Sequence, residues 1–206
     1  MFKNIKTIPS ILVLGMIGCS DVEKEDDHHH DHNHGLPTTA ILTFTDAGGA
    51  ESSFTWVRID EHDEAVVDTV VLAVEDGPYT LSVEVWNEAE DPAEDITPEI
   101  LQYDDEHQFF FTGDAVVGPA TGDNADALID HAYADEDADG LPVGLDNTAD
   151  AIAAGEGSMD VMLRHLPPEN GQAVKVEGLA ATVAEEGFSG IGGDIDIDVT
   201  FPVLVE

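Results

Sequence analysis

Five of the nine histidines fall within seven positions, in His28-His29-His30-Asp31-His32-Asn33-His34, directly behind Glu25, Asp26 and Asp27. Neutral imidazole is a common protein ligand for zinc and also suits copper and nickel. Adjacent histidines on a polar chain can wrap one ion without a preformed cage, at a cost in ordering entropy that keeps the affinity moderate. The neighbouring acids raise the local cation concentration, and Asp31 can help complete a shell. The bland alternative is a solvated polar tether. His62, His107, His131 and His165 lie farther along the chain. His107 opens the strand-like run Gln108-Phe109-Phe110-Phe111, and His165 closes a second run ahead of Leu166-Pro167-Pro168. If those two strand ends coincide, His107 and His165 make a two-histidine zinc site completed by an acid. Taken singly, each is a hydrogen-bonded structural histidine.

The stretch from Asp135 to Asp146 resembles an EF-hand calcium loop. Asp135, Asp137 and Asp139 stand at positions one, three and five, Gly140 at six and Asp146 at twelve. Calcium takes several oxygens at about 2.3–2.6 Å, which alternate acids around a glycine turn can supply. Asp146 replaces the longer glutamate that reaches bidentately, Pro142 and Val143 are foreign to the motif, and no flanking helices are expected. The alternative is an acidic connecting loop.

Catalytic patterns are absent. Gly187-Phe188-Ser189-Gly190-Ile191 has isoleucine where a nucleophile elbow needs its second glycine, and there is no phosphate loop or dinucleotide fingerprint. A non-enzymatic role is therefore expected, with a hydrolase acting on extracellular polymer as the remaining alternative. With 45 acidic and 6 basic residues, the formal net charge is −39. Nucleic acid and anionic lipid surfaces both require Lys and Arg, so neither is an expected partner of the protein's own charge. Collection of cations is favoured instead.

At the N-terminus, Lys3 and Lys6 precede an apolar run from Ile8 to Ile17. A run of roughly ten residues is too short to span a bilayer and has the form of a secretory signal. Met16-Ile17-Gly18-Cys19 resembles the lipobox of bacterial lipoproteins, with methionine where leucine is usual. That resemblance implies cleavage after Gly18 and acylation of Cys19, the only cysteine in the chain. Attachment to a membrane would then rest on lipid. Ser20, rather than aspartate, follows the cysteine, which favours the outer membrane or cell surface over the inner membrane. The expected division is residues 1–18 as signal peptide, 19–37 as lipidated cysteine and acid- and histidine-rich tether, and 38–206 as one domain.

Within that domain the apolar pattern has period two. Strands are expected over residues 41–45, 54–59, 69–74, 79–86, 108–112, 128–134, 158–165 and 194–205, with turns at Asp46-Ala47-Gly48-Gly49 and Glu75-Asp76-Gly77-Pro78. Thr97-Pro98-Glu99 starts one short helix. In the last strand Ile195, Ile197, Val199, Phe201 and Val203 are expected on one face, with Asp194, Asp196, Asp198 and Thr200 opposite. Short strands separated by turns predict an all-β, antiparallel β-sandwich. An immunoglobulin-like arrangement is one candidate, without the disulfide of antibody domains.

The segments Asp104-Asp105-Glu106-His107-Gln108-Phe109-Phe110-Phe111, Leu163-Arg164-His165-Leu166-Pro167 and Asp194-Ile195-Asp196-Ile197-Asp198-Val199-Thr200-Phe201-Pro202, behind the lipobox and histidine tether, resemble a group of bacterial, often marine, surface lipoproteins. The resemblance implies an accessory role in acquiring zinc or another metal, beside an outer-membrane receptor. The competing expectation is a structural or adhesive surface module with calcium-stiffened loops.

Overall fold

The computed structural model describes residues 36–58 and 64–206. Cys19, the signal segment, the tether residues His28, His29, His30, Asp31, His32 and His34, and His62 all lie outside the described residues. The strands are β1 Thr39–Thr45, β2 Glu51–Val57, β3 Val66–Val67, β4 Val70–Leu72, β5 Tyr79–Asn87, β6 Glu94–Asp95, β7 His107–Thr112, β8 Val116–Val117, β9 Ile129–Tyr133, β10 Asp146–Ala151, β11 Gly155–His165 and β12 Asp194–Val205. The helices are α1 Thr97–Gln102 and α2 Leu179–Glu186.

Alternation along the strands divides apolar from polar side chains and builds two sheets. β5 shows it most cleanly: Tyr79, Leu81, Val83 and Val85 are buried, and Thr80 and Glu84 are exposed. One sheet runs β3-β2-β1-β5-β10-β9-β8, with β6 paired to β5; the other runs β4-β12-β11-β7. Leu42, Phe44, Leu81 and Val83 from the first sheet meet Phe109, Phe111, Leu163, Val199 and Phe201 from the second in one core. The result is an all-β sandwich. Each such fully buried large apolar side chain stabilises the fold by about 1.5–3 kcal/mol.

The pairing is antiparallel except for two short parallel pairs, β12 with β4 and β8 with β9. Two further elements depart from the expectation. β10 alternates Asn147, Ala149 and Ala151 inward against Asp146, Thr148 and Asp150 outward, so its period is regular but its side chains are small and polar. The second helix, α2, begins after Gly178 and ends at Gly187, both at positive φ. Its Leu179, Ala180 and Val183 pack with Phe110, Ala120 and Leu166 in a smaller apolar cluster. This explains the phenylalanine triplet: Phe109 and Phe111 face the other sheet, while Phe110 belongs to the α2 cluster.

The loop between β9 and β10 ties the two sheets together. Phe109 N–H of β7 donates to Val143 O at 2.7 Å, and Val83 N–H of β5 donates to Leu145 O at 2.8 Å. Tyr133 O–H donates to Phe109 O at 2.8 Å, and burial pushes its phenol well above the ordinary range. Gly144, between the two accepting residues, has φ +89°, and a side chain there would run into the Phe109 Cβ and the Tyr133 ring.

His131 is buried beside Phe111 and Tyr133, with Nε2 3.0 Å from Asn147 Oδ1. Burial pushes its pKa down to about 4, against opposing pulls from Asn147 and the Asp130 charge. The unfolded chain therefore binds a proton between pH 6.5 and 4 that the folded chain refuses, so His131 costs stability as pH falls through that window. Urea unfolding at pH 7 and pH 5 checks this: wild type should lose about 2 kcal/mol more than His131→Gln over that interval.

Candidate metal centre

β7 and β11 pair antiparallel, and their register sets His107 directly opposite His165. Opposed residues in such a pair project from the same face with Cβ atoms about 4.5–5.5 Å apart. The two imidazoles accordingly stack, with ring centroids 4.8 Å apart and planes 11° from parallel. His107 Nδ1 is 2.8 Å from Tyr103 O. A carbonyl oxygen can only accept, so Nδ1 carries the proton. In the neutral ring the lone pair is then on Nε2. A metal-binding histidine is ordinarily oriented by such a bond from its other nitrogen.

The third group comes from an irregularity in β12. Leu163 pairs with Ile197 but Arg164 pairs with Ile195, so Asp196 is the extra residue of a β-bulge. Its Oδ2 lies 4.0 Å from His107 Nε2. Ligand atoms of His107, His165 and Asp196 all lie within 4.8 Å of one another, the one such group of three histidine, cysteine or acid side chains among the described residues. Donors around one tetrahedral zinc are about 3.3 Å apart, so closure asks each side chain to move by about 1 Å or less. The bulge also shifts Ile195, expected in the core, to a position where it is 53% exposed. Period two cannot reveal such a step, because one inserted residue reverses the facing of everything beyond it.

A second carboxylate stands beside His165. Glu106 Oε2 is 3.4 Å from His165 Nε2, and the Glu106 and Asp196 side chains are 11% and 17% exposed. Glu106 sits in a 3-10 turn, Asp104–Glu106, that leads straight into β7. The turn is fixed by Leu166 N–H donating to Glu106 O at 2.6 Å and by Lys175 Nζ donating to Asp104 O at 2.7 Å. On the other side, Arg164 Nη2 donates to Gly192 O and Gly193 O at 2.6 and 2.7 Å, holding the segment that enters β12. Bonds from a charged donor are worth about 1.5–3 kcal/mol each.

No family model, curated protein or solved structure matches the chain. What the site can do rests on its own geometry.

The acids of the calcium-like loop are placed differently. Asp135 accepts from the N–H groups of Gly144, Leu145 and Asp146 at 2.7–3.0 Å. Asp137 Oδ1 accepts from Asp139 and Leu141 N–H, while Oδ2 meets Lys175 Nζ at 2.7 Å. Burial pushes the Asp137 carboxyl up, but Lys175 and those N–H groups outweigh it and hold it below the usual carboxylate range. Asp139 and Asp146 are exposed. The four carboxylates do not form a cluster of ligand atoms; Lys175 is the cation that this loop holds. Sequence reasoning missed Asp196, Glu106, Arg164 and Lys175. Asp196 had already been placed on the polar face of its strand, and Glu106 is the immediate neighbour of a candidate ligand.

Gly193 is where the support for Asp196 is tightest. It has φ +78°, and a Cβ there would overlap the His165 carbonyl oxygen and Leu166. Gly171 has a similar φ of +72° with open space around it. Gly193→Ala should therefore lose at least about 1 kcal/mol more than Gly171→Ala in thermal or urea unfolding. Zinc affinity should fall in the Gly193 variant alone.

Proposed function

We propose that this protein is a lipid-anchored component of the bacterial cell envelope that binds a divalent transition metal, zinc first, in its β-sandwich domain. The observation that carries this reading is the meeting of His107, His165 and Asp196 at one corner of the sandwich. Two imidazoles and a carboxylate suit zinc, and also copper or nickel, and they do not suit calcium, which prefers oxygen alone. The anchor is the part of the proposal that rests on Met16-Ile17-Gly18-Cys19. Among the described residues no helix is long and apolar enough to cross a membrane.

In this reading the tether and the domain divide the work. His28 to His34 raise the metal concentration near the membrane by loose capture, and the more enclosed site in the domain holds the ion. Delivery to a partner, such as an outer-membrane receptor, is the final part of the proposal. The reading as an adhesive module stiffened by calcium draws less support, because Asp135 and Asp137 already satisfy the N–H groups of their own loop and the Lys175 ammonium.

Calorimetric zinc titration separates the two classes of site. The chain from Ser20 onward should show one tight site and weaker ones. Replacing His28, His29, His30, His32 and His34 with asparagine should remove the weak sites alone. His107→Ala with His165→Ala should remove the tight one, with at least a hundredfold loss of affinity, since too few donors remain to hold the ion. Unchanged tight binding in the double variant would refute the placement.

A further inference from the structure

We infer that Glu106 is a fourth protein ligand, so that the centre closes around its ion as a neutral, four-coordinate set of two imidazoles and two carboxylates. This rests on the proposed site at His107, His165 and Asp196, and it fixes what kind of metal site that is.

Three observations point to it. First, Glu106 Oε2 is 3.4 Å from His165 Nε2, so its carboxylate stands next to the group of His107, His165 and Asp196 and joins it by turning toward the shared ion. Secondly, the backbone around Glu106 is pinned. Its carbonyl is held by Leu166, the Asp104 carbonyl by Lys175, and its own N–H reaches Tyr103 O at 3.0 Å. Tyr103 O is also the acceptor that orients His107, so Glu106 and His107 are set by one turn. Thirdly, the charges balance. A divalent ion with two neutral imidazoles and one carboxylate leaves a net positive charge in a largely buried corner, which is costly. A second carboxylate cancels it.

The consequence is chemical. Catalytic zinc keeps three protein ligands and an open position for water, whereas four protein ligands make a closed site. With Glu106 in place the centre holds metal and presents no coordinated water for hydrolysis. The preferred ions are those content with tetrahedral geometry, zinc and cobalt(II), over those seeking square-planar or octahedral shells.

Cobalt(II) reports the shell directly. The probe is the full chain with His28, His29, His30, His32 and His34 replaced by asparagine, titrated with cobalt(II) and followed by visible absorption. The intense d–d bands of a four-coordinate ion are expected, and azide should leave them unchanged. Glu106→Ala should weaken cobalt binding about tenfold or more and should make the bands respond to azide. A parent spectrum that shifts with azide would overturn the inference without any variant at Glu106. So would a Glu106→Ala variant that keeps the parent's affinity and spectrum. If His107→Ala and His165→Ala leave cobalt binding intact, or the parent binds no cobalt, the underlying site has failed and the inference with it. A Glu106→Ala variant that still binds cobalt as the parent does and still ignores azide would overturn the fourth ligand and leave the three-ligand site standing.

Discussion

A chain with 45 acidic and 6 basic residues here buries the side chains of Glu106 and Asp137, and it has few cations to set against its acids. That shortage organises this structure. Buried charge is tolerated only when it is paired and hydrogen-bonded. Asp137 is paired, by the Lys175 ammonium and two backbone N–H groups. Asp135 is satisfied by three N–H groups of its own loop. Glu106 and Asp196 stand beside two histidines, His165 and His107. Two imidazoles and a carboxylate gathered at one place are the basis of the proposed metal site.

The geometry of the site follows from the sheet. Antiparallel register between β7 and β11 makes His107 and His165 neighbours although they are far apart in sequence. A bulge in β12 adds the residue that becomes Asp196. The two cations of this region then act as rivets. Arg164 holds the entry to β12, and Lys175 holds the turn before β7 while closing the acidic loop. That loop braces β7 in turn through Val143 O and β5 through Leu145 O. The acids that look like calcium ligands thus contribute to the His107–His165 corner by shaping its backbone.

Much of this was legible in the sequence, for reasons that can be named. β5, β7, β11 and β12 are marked by period-two alternation or by an aromatic run, so their existence followed from pattern. The candidate pair His107 and His165 followed from their positions at strand ends. β10 was hidden because its inward residues are Asn147, Ala149 and Ala151, which carry almost no hydrophobic signal. α2 was hidden because it is only eight residues long and is bounded by Gly178 and Gly187. The roles of Asp196, Glu106, Arg164 and Lys175 depend on a bulge and on long-range contacts. Among dozens of Asp and Glu, nothing local sets Asp196 or Glu106 apart from the rest.

The most direct test is anomalous diffraction from crystals grown with zinc, measured on both sides of the zinc absorption edge. One peak is expected in the domain, in contact with His107 Nε2, His165 Nε2, and the carboxylates of Asp196 and Glu106. Zinc density confined to the Asp135–Asp146 loop, or none anywhere in the sandwich, would contradict the claim that this corner is the protein's metal centre.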